Sequence, residues 1–156
     1  MSSISAHARG AWRAQIYGLD GANLKLLADH ERKAAIKCGT FGASDIVDRK
    51  FATGDFEGRL QMWDLESPKI PVYSTQAHAA IVNGIDGCGG PTKGYGPPEL
   101  VTCGRDGCVR VWDVRQEDAP VAAFEPSDTE NARCALCAFA PAVLHKHAKK
   151  QHWHML

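Results

Sequence analysis

Two stretches of the chain, at residues 51–65 and 100–114, repeat one order of apolar and polar positions, with short alternations in their second strands. An alternation of period two predicts β-strands with one buried face. Both stretches have the same order: a strand, a turn that carries an acidic residue and Gly, and a second strand that ends in Trp-Asp. The two tryptophans, Trp63 and Trp112, are 49 positions apart. A self-similar unit at this period indicates a repeat architecture, in which each unit covers the next.

Further strand patterns flank the two stretches. They are predicted at residues 16–27 (a strand pair around Asp20-Gly21), 36–41, 72–75, 81–86, 121–124 and 133–139. Residues 87–98 contain five Gly and three Pro, a composition that ends strands and helices, so we expect an enlarged loop there. Lys93 precedes Gly94 in this loop, which is not the order of a phosphate-binding loop. We expect either a loop that contacts a partner protein or an insertion that the fold merely tolerates.

The double Trp-Asp unit resembles the WD-repeat β-propeller family. The resemblance implies an all-β fold with antiparallel four-stranded blades, here a partial propeller of about two complete blades plus flanking strands. A whole propeller needs more than 156 residues, so we interpret the chain as a truncated N-terminal portion of one. A small complete β-sandwich is the alternative. The predicted organisation is an irregular leader at 1–15, the incomplete propeller domain at 16–140 and an irregular His/Lys-rich tail at 141–156.

Composition excludes several classes of function. The 18 basic residues balance the 18 acidic ones, so the charge favours no nucleic-acid partner. No apolar run resembles a secretory signal or reaches the length of a membrane span, although Arg9 and Arg13 in an acid-free start leave a transit peptide open. Six cysteines without an export signal predict thiols in a cytoplasmic protein.

In the WD-repeat family a tetrad of hydrogen-bonded polar residues stabilises each blade. The resemblance implies the same tetrad in and just before the second stretch. The four residues there are His78, Thr102, Asp106 and Trp112. A buried indole N–H and a buried carboxylate are unfavourable unless each has a partner, and these side chains can form a chain of donors and acceptors. A nucleophilic triad of Thr, His and Asp is the catalytic alternative. We expect no catalytic residue, because Thr102 falls inside a core-facing strand.

The first stretch departs from this pattern. Thr53 and Trp63 match the tetrad, but Glu57 stands where Asp is expected and Lys33 stands at the His position. These substitutions predict a partial tetrad of Thr53, Glu57 and Trp63.

A zinc site is the main alternative for the end of the chain. Cys134 and Cys137 form a Cys-x-x-Cys pair, and four histidines follow it. Side chains three apart in a strand point to opposite faces, and the histidine spacing does not match a zinc finger. We therefore expect no metal and no other cofactor.

The resemblance extends to the WD-repeat proteins that act as axonemal dynein assembly factors. It covers about residues 16–140 and includes non-consensus stretches such as 36–43. It implies a non-catalytic, cytoplasmic scaffold or co-chaperone adaptor for building the dynein arms of cilia, with a link to apoptosis in some settings. The implied partners are RuvB-like ATPases, prefoldin-like subunits and dynein chains. The alternative is another WD-repeat interaction module, such as a ubiquitin-ligase substrate receptor or a signalling scaffold.

Overall fold

The computed structural model describes residues 12–44, 47–89, 96–116 and 119–125. This part of the chain is all β and contains no helix, so no helix in it is long and apolar enough to cross a bilayer. The ten strands are β1 (Trp12–Asp20), β2 (Asn23–Arg32), β3 (Ile36–Thr40), β4 (Lys50–Asp55), β5 (Arg59–Asp64), β6 (Tyr73–Gln76), β7 (Val82–Cys88), β8 (Glu99–Gly104), β9 (Val109–Asp113) and β10 (Ala122–Phe124).

The chain divides into two compact units near residue 36. In the first, β1 and β2 form an antiparallel hairpin that turns at the predicted Asp20-Gly21 signal. Arg13 makes two hydrogen bonds to the Asp29 carboxylate across the hairpin, both 2.9 Å long. β1 begins at Trp12, so the last residues of the predicted irregular leader are extended. The start of that leader and the whole tail lie outside the described residues.

The second unit contains two four-stranded sheets, in which neighbouring strands follow one another along the chain. Their orders are β3-β4-β5-β6 and β7-β8-β9-β10. The two Trp-Asp stretches form the central hairpins, β4–β5 and β8–β9, which are antiparallel. The predicted all-β class with antiparallel four-stranded sheets is confirmed, and the arrangement is consistent with a partial propeller. The strand predicted at residues 133–139 lies outside the described residues.

An apolar core joins the two sheets. Its buried members come from both sheets and their connections: Ala43, Ala52, Leu60, Met62, Ala77, Leu100 and Trp112. Close contacts continue along β7, where the Cys38 thiol donates to the Val82 carbonyl oxygen at 3.5 Å. Burial of this apolar surface is the main force that holds one sheet on the next.

Successive side chains of β8 and β9 point to opposite faces of the second sheet and pack in two different apolar clusters. Leu100 and Trp112 join the core between the sheets, whereas their neighbours Val101 and Val111 pack in a second cluster with Cys103 and Val109. All six residues of β8 are buried, including the polar residues Glu99 and Thr102, so both faces of this strand are covered.

The loop and the cysteines differ in part from expectation. β7 continues to Cys88, so the strand extends into the predicted loop at 87–98, of which residues 90–95 lie outside the described residues.

Cys38, Cys88 and Cys108 are free. Cys103 is disulfide-bonded, so the prediction of six thiols is wrong at this residue.

Candidate functional site

Four side chains of the second sheet form one continuous hydrogen-bonded chain, which we call the polar network: His78, Thr102, Asp106 and Trp112. The Trp112 indole N–H donates to the Thr102 hydroxyl at 2.9 Å. The Thr102 hydroxyl lies 2.8 Å from Nε2 of His78, and Nδ1 of His78 lies 2.9 Å from the Asp106 carboxylate. Sequence reasoning placed the same four residues in a tetrad, and the structure brings all four together.

The direction of donation follows from the chemistry of each group. Since Thr102 accepts from the indole, its hydroxyl proton is available to Nε2 of His78, which must then be the unprotonated nitrogen. Nδ1 carries the proton and donates to Asp106, because a carboxylate only accepts. Each buried polar atom of the network thus has a partner, which removes the penalty of burying it.

Strand register places these groups. Thr102 lies opposite Arg110 in the β8–β9 ladder, so the residue two positions beyond Arg110, Trp112, shares a face with Thr102. His78 enters from the connection between β6 and β7 and is 2% exposed. Asp106 lies in the turn between β8 and β9, where it also accepts the N–H groups of Cys108 and Ala79.

The network holds two ionisable groups in defined states. Burial lowers the pKa of His78 below 6.5, and this outweighs the hydrogen bond to Asp106, which would raise it. Partial burial alone would raise the pKa of Asp106, but hydrogen bonds from the Cys108 N–H, His78 and Ala79 outweigh it and lower the pKa. At neutral pH the site therefore contains a neutral imidazole and a carboxylate.

Arg110 closes the network on its solvent side. Its Nη1 donates to the Ala77 carbonyl oxygen at 2.7 Å and to Asp106 at 3.2 Å. Sequence reasoning did not identify this residue. The available signal is its place two residues before the Trp of a Trp-Asp strand, opposite Thr102.

The first sheet reproduces half of this arrangement. Trp63 donates its indole N–H to the Thr53 hydroxyl at 2.9 Å, as Trp112 does to Thr102. Among the described residues no His extends this pair, and the Thr53 hydroxyl instead donates to the Gln61 carbonyl oxygen at 3.4 Å. A backbone oxygen of the next strand thus accepts the hydrogen bond of the Thr hydroxyl, as His78 does in the second sheet.

Asp55, rather than Glu57, stabilises the turn of the first sheet. The Asp55 carboxylate accepts the N–H groups of Glu57 and Arg59 at 2.9 and 2.8 Å and is buried. Glu57 is exposed and forms an ion pair with Arg59 at 3.3 Å. The longer Glu side chain reaches solvent, where its charge keeps its hydration. Asp55 and Glu57 are two positions apart, and the sequence alone does not distinguish their roles.

The Asp that follows each Trp has a local role. Asp64 accepts the Glu66 N–H at 2.8 Å, and Asp113 accepts the Arg115 N–H at 3.0 Å. The Arg115 guanidinium also donates to Asp113 through two nitrogens and lowers the pKa of that carboxyl. Both acids therefore stabilise the turn that ends the strand.

The site offers little for catalysis. Thr102 is 1% exposed and its hydroxyl already has two partners, so a substrate has no path to it in this arrangement. No group of three or more metal-ligating side chains occurs among the described residues. The Cys134 and Cys137 pair of the zinc alternative lies outside them.

Comparison with known proteins gives a consistent result, although no protein-family model matches the chain. The chain is 58% identical to dynein axonemal assembly factor 10 of Chlamydomonas reinhardtii over 135 residues, which is 86% of the chain. It is 52% identical to the human protein of that name over 136 residues. A shorter match, 29% identical over 96 residues, links it to the Dictyostelium discoideum protein.

The chain matches a part of each of these longer proteins. It spans 38% of the Chlamydomonas and human proteins and 25% of the Dictyostelium protein. Over most of its own length, the chain is therefore a homologue of proteins named dynein axonemal assembly factor 10.

Proposed function

We propose that the chain is a non-catalytic scaffold that takes part in the assembly of axonemal dynein. The observation that carries this proposal is the 58% identity to dynein axonemal assembly factor 10 of Chlamydomonas over 86% of the chain. An identity of this size over both four-stranded sheets supports a shared fold.

The geometry supports a binding role. The polar side chains of the network form hydrogen bonds within the protein, among them those of His78, Thr102 and Asp106. These bonds hold the connection between β6 and β7 against the second sheet. Such a network positions turns and loops rigidly, and rigid scaffolds present binding residues on those segments. The finer proposal is that the chain works in the cytoplasm as a co-chaperone adaptor, with RuvB-like ATPases and prefoldin-like subunits on one side and dynein chains on the other.

Affinity purification from ciliating cells tests the proposal. The tagged 156-residue chain is isolated from the cytoplasmic fraction, and co-purifying proteins are quantified by mass spectrometry against a tag-only control. We expect enrichment of dynein heavy chains and RuvB-like ATPases. The matched pair is Thr102→Val, which interrupts the polar network, and Glu57→Ala, which changes an exposed side chain of the other sheet. Only the first should reduce the enrichment.

Two outcomes would overturn the proposal. One is enrichment of cullin-linker proteins without dynein chains, which would indicate a ubiquitin-ligase receptor. The other is a set of co-purifying proteins indistinguishable from the tag-only control.

A further inference from the structure

Two exposed side chains occupy equivalent turn positions in the neighbouring sheets. Phe56 lies in the turn between β4 and β5, and Arg105 lies in the turn between β8 and β9. Each directly precedes the acidic residue that sequence reasoning aligned, Glu57 and Asp106. Both side chains face solvent, with Phe56 47% exposed. Neither belongs to the two buried apolar clusters of the sheets.

The two turns lie at the same edge of the sheet pair because both contact one short segment, residues 78–81. The first turn contacts its start, where the Gly58 carbonyl oxygen accepts the His78 N–H at 2.9 Å. The second turn contacts its end, where the Arg105 N–H donates to the Ile81 carbonyl oxygen at 2.8 Å. Phe56 and Arg105 therefore flank the same connection.

Lys37 completes this surface, which we call the turn rim: Lys37, Phe56 and Arg105. The Lys37 ammonium lies 5.9 Å from the centre of the Phe56 ring, within the range of a cation–π contact. The rim thus presents an exposed aromatic ring with one cation, Lys37, beside it and a second cation, Arg105, in the turn of the neighbouring sheet.

The acidic side chains of this edge already have partners. Glu57 pairs with Arg59, Asp106 pairs with Arg110, and the Asp55 carboxylate accepts two backbone N–H groups. Among the described residues, neither Lys37 nor Arg105 forms an ion pair. The rim consequently retains positive charge in a chain whose formal net charge is zero.

We propose that the turn rim binds an extended acidic segment of a partner protein, with an apolar side chain between its carboxylates. Carboxylates complement Lys37 and Arg105, and the apolar side chain covers the Phe56 ring. A nucleic acid fits less well, because two cations supply little of the phosphate neutralisation on which such binding depends. This inference rests on the proposed function, since it assigns the chemistry of one partner contact to a proposed scaffold.

A direct binding assay with the purified chain tests the rim. The probe is a fluorescein-labelled peptide of Glu residues with two central Leu residues, and binding is followed by fluorescence anisotropy. We expect Arg105→Glu, Lys37→Glu and Phe56→Ala each to weaken binding about tenfold. The matched control is Arg49→Glu, an exposed arginine at the opposite end of β4 that pairs with Glu66, and it should leave binding unchanged.

Two peptide controls and one oligonucleotide control complete the design. Replacing Glu by Gln in the probe should abolish binding, replacing Leu by Ala should weaken it, and a labelled oligouridine should not compete. Thermal melting of each variant establishes that it is folded before binding is measured. The assay contains no dynein, so its result is independent of the purification from ciliating cells.

Four results would overturn the inference. They are no binding of the Glu-Leu peptide, equal loss in Arg49→Glu and Arg105→Glu, unchanged binding in Phe56→Ala, and preferential binding of the oligouridine.

Discussion

The carbonyl oxygen of Gly58 accepts the N–H of His78 at 2.9 Å, which ties the turn of the first sheet to the first member of the polar network in the second. Gly58 has a positive φ of 86°. A Cβ on it would lie 2.2 Å from the His78 carbonyl oxygen and 2.5 Å from that of Ala80. The approach of the two sheets therefore depends on a residue without a side chain.

Gly58→Ala should destabilise the second unit by more than the usual penalty of a positive φ. That penalty alone is about 1–2 kcal/mol, and a clash with two backbone oxygens adds to it. Gly96→Ala is the matched control, since Gly96 has a φ of 88° and, among the described residues, no atom lies within 4 Å of a Cβ added there. Urea unfolding followed by tryptophan fluorescence gives both values, and equal losses would contradict the close approach.

Asp106→Ala should lower the free energy of unfolding by about 2–4 kcal/mol, because it leaves the Nδ1–H of His78 without its acceptor and removes one acceptor of Arg110. Glu57→Ala, at the equivalent position of the first sheet, should change it by under about 0.5 kcal/mol, as expected for an exposed side chain. Denaturant unfolding of both variants measures the difference. A loss under about 0.5 kcal/mol for Asp106→Ala would make this acid an ordinary turn residue.

Asp55→Ala should destabilise the first sheet by about 1–2 kcal/mol, since it removes the acceptor of two turn N–H groups. Asp55→Asn should recover part of the loss, because an amide oxygen can accept the same bonds. Chemical unfolding of the two variants beside Glu57→Ala tests the assignment. A larger effect at Glu57 than at Asp55 would reverse it.

Acidification should destabilise the protein through His78. Its pKa is lower in the folded state than its ordinary value of 6.5, so between the two values the unfolded chain binds more protons than the folded one. Stability is then full above pH 6.5 and falls as the pH drops towards the folded pKa. Asp106, whose pKa is lowered from 3.8, acts in a separate window at lower pH.

The His78 contribution can be isolated by substitution. His78→Gln should be less stable than the parent at pH 7.5 but should lose less stability between pH 7.5 and pH 5. The measurement is a urea unfolding series over that pH range. Parallel pH profiles for the two proteins would show that His78 does not titrate with folding.

Cys38 should be slow to alkylate. Desolvation is the largest cause that raises the pKa of its thiol to about 11, so at pH 7.5 roughly one molecule in 3,000 carries the thiolate that reacts. Iodoacetamide labelling followed by mass spectrometry should leave Cys38 unmodified in the native chain and modify it in urea. Equal rates in the two conditions would contradict its burial against Val82.

Sequence by itself determined the strands and the pairs inside one hairpin. Thr53 and Trp63, like Thr102 and Trp112, are ten residues apart and hydrogen-bonded. A hairpin with a fixed turn length has a fixed register, so the spacing along the chain decides which side chains share a face. The resemblance to the WD-repeat family added the expectation of His78 and Asp106.

Only the tertiary structure decided which acid serves the first turn and what surrounds it. Asp55 and Glu57 lie in the same turn, and their order alone does not say which one is buried. The choice depends on the end of β6 and the segment after it. Gln76, the last residue of β6, donates to the Glu57 carbonyl oxygen at 2.7 Å, and the His78 N–H donates to the Gly58 carbonyl oxygen. These contacts join residues that are far apart in the sequence and share no periodic pattern. The buried acid, the partners of Arg110 and the turn rim are therefore set by packing between the sheets and not by a local sequence pattern.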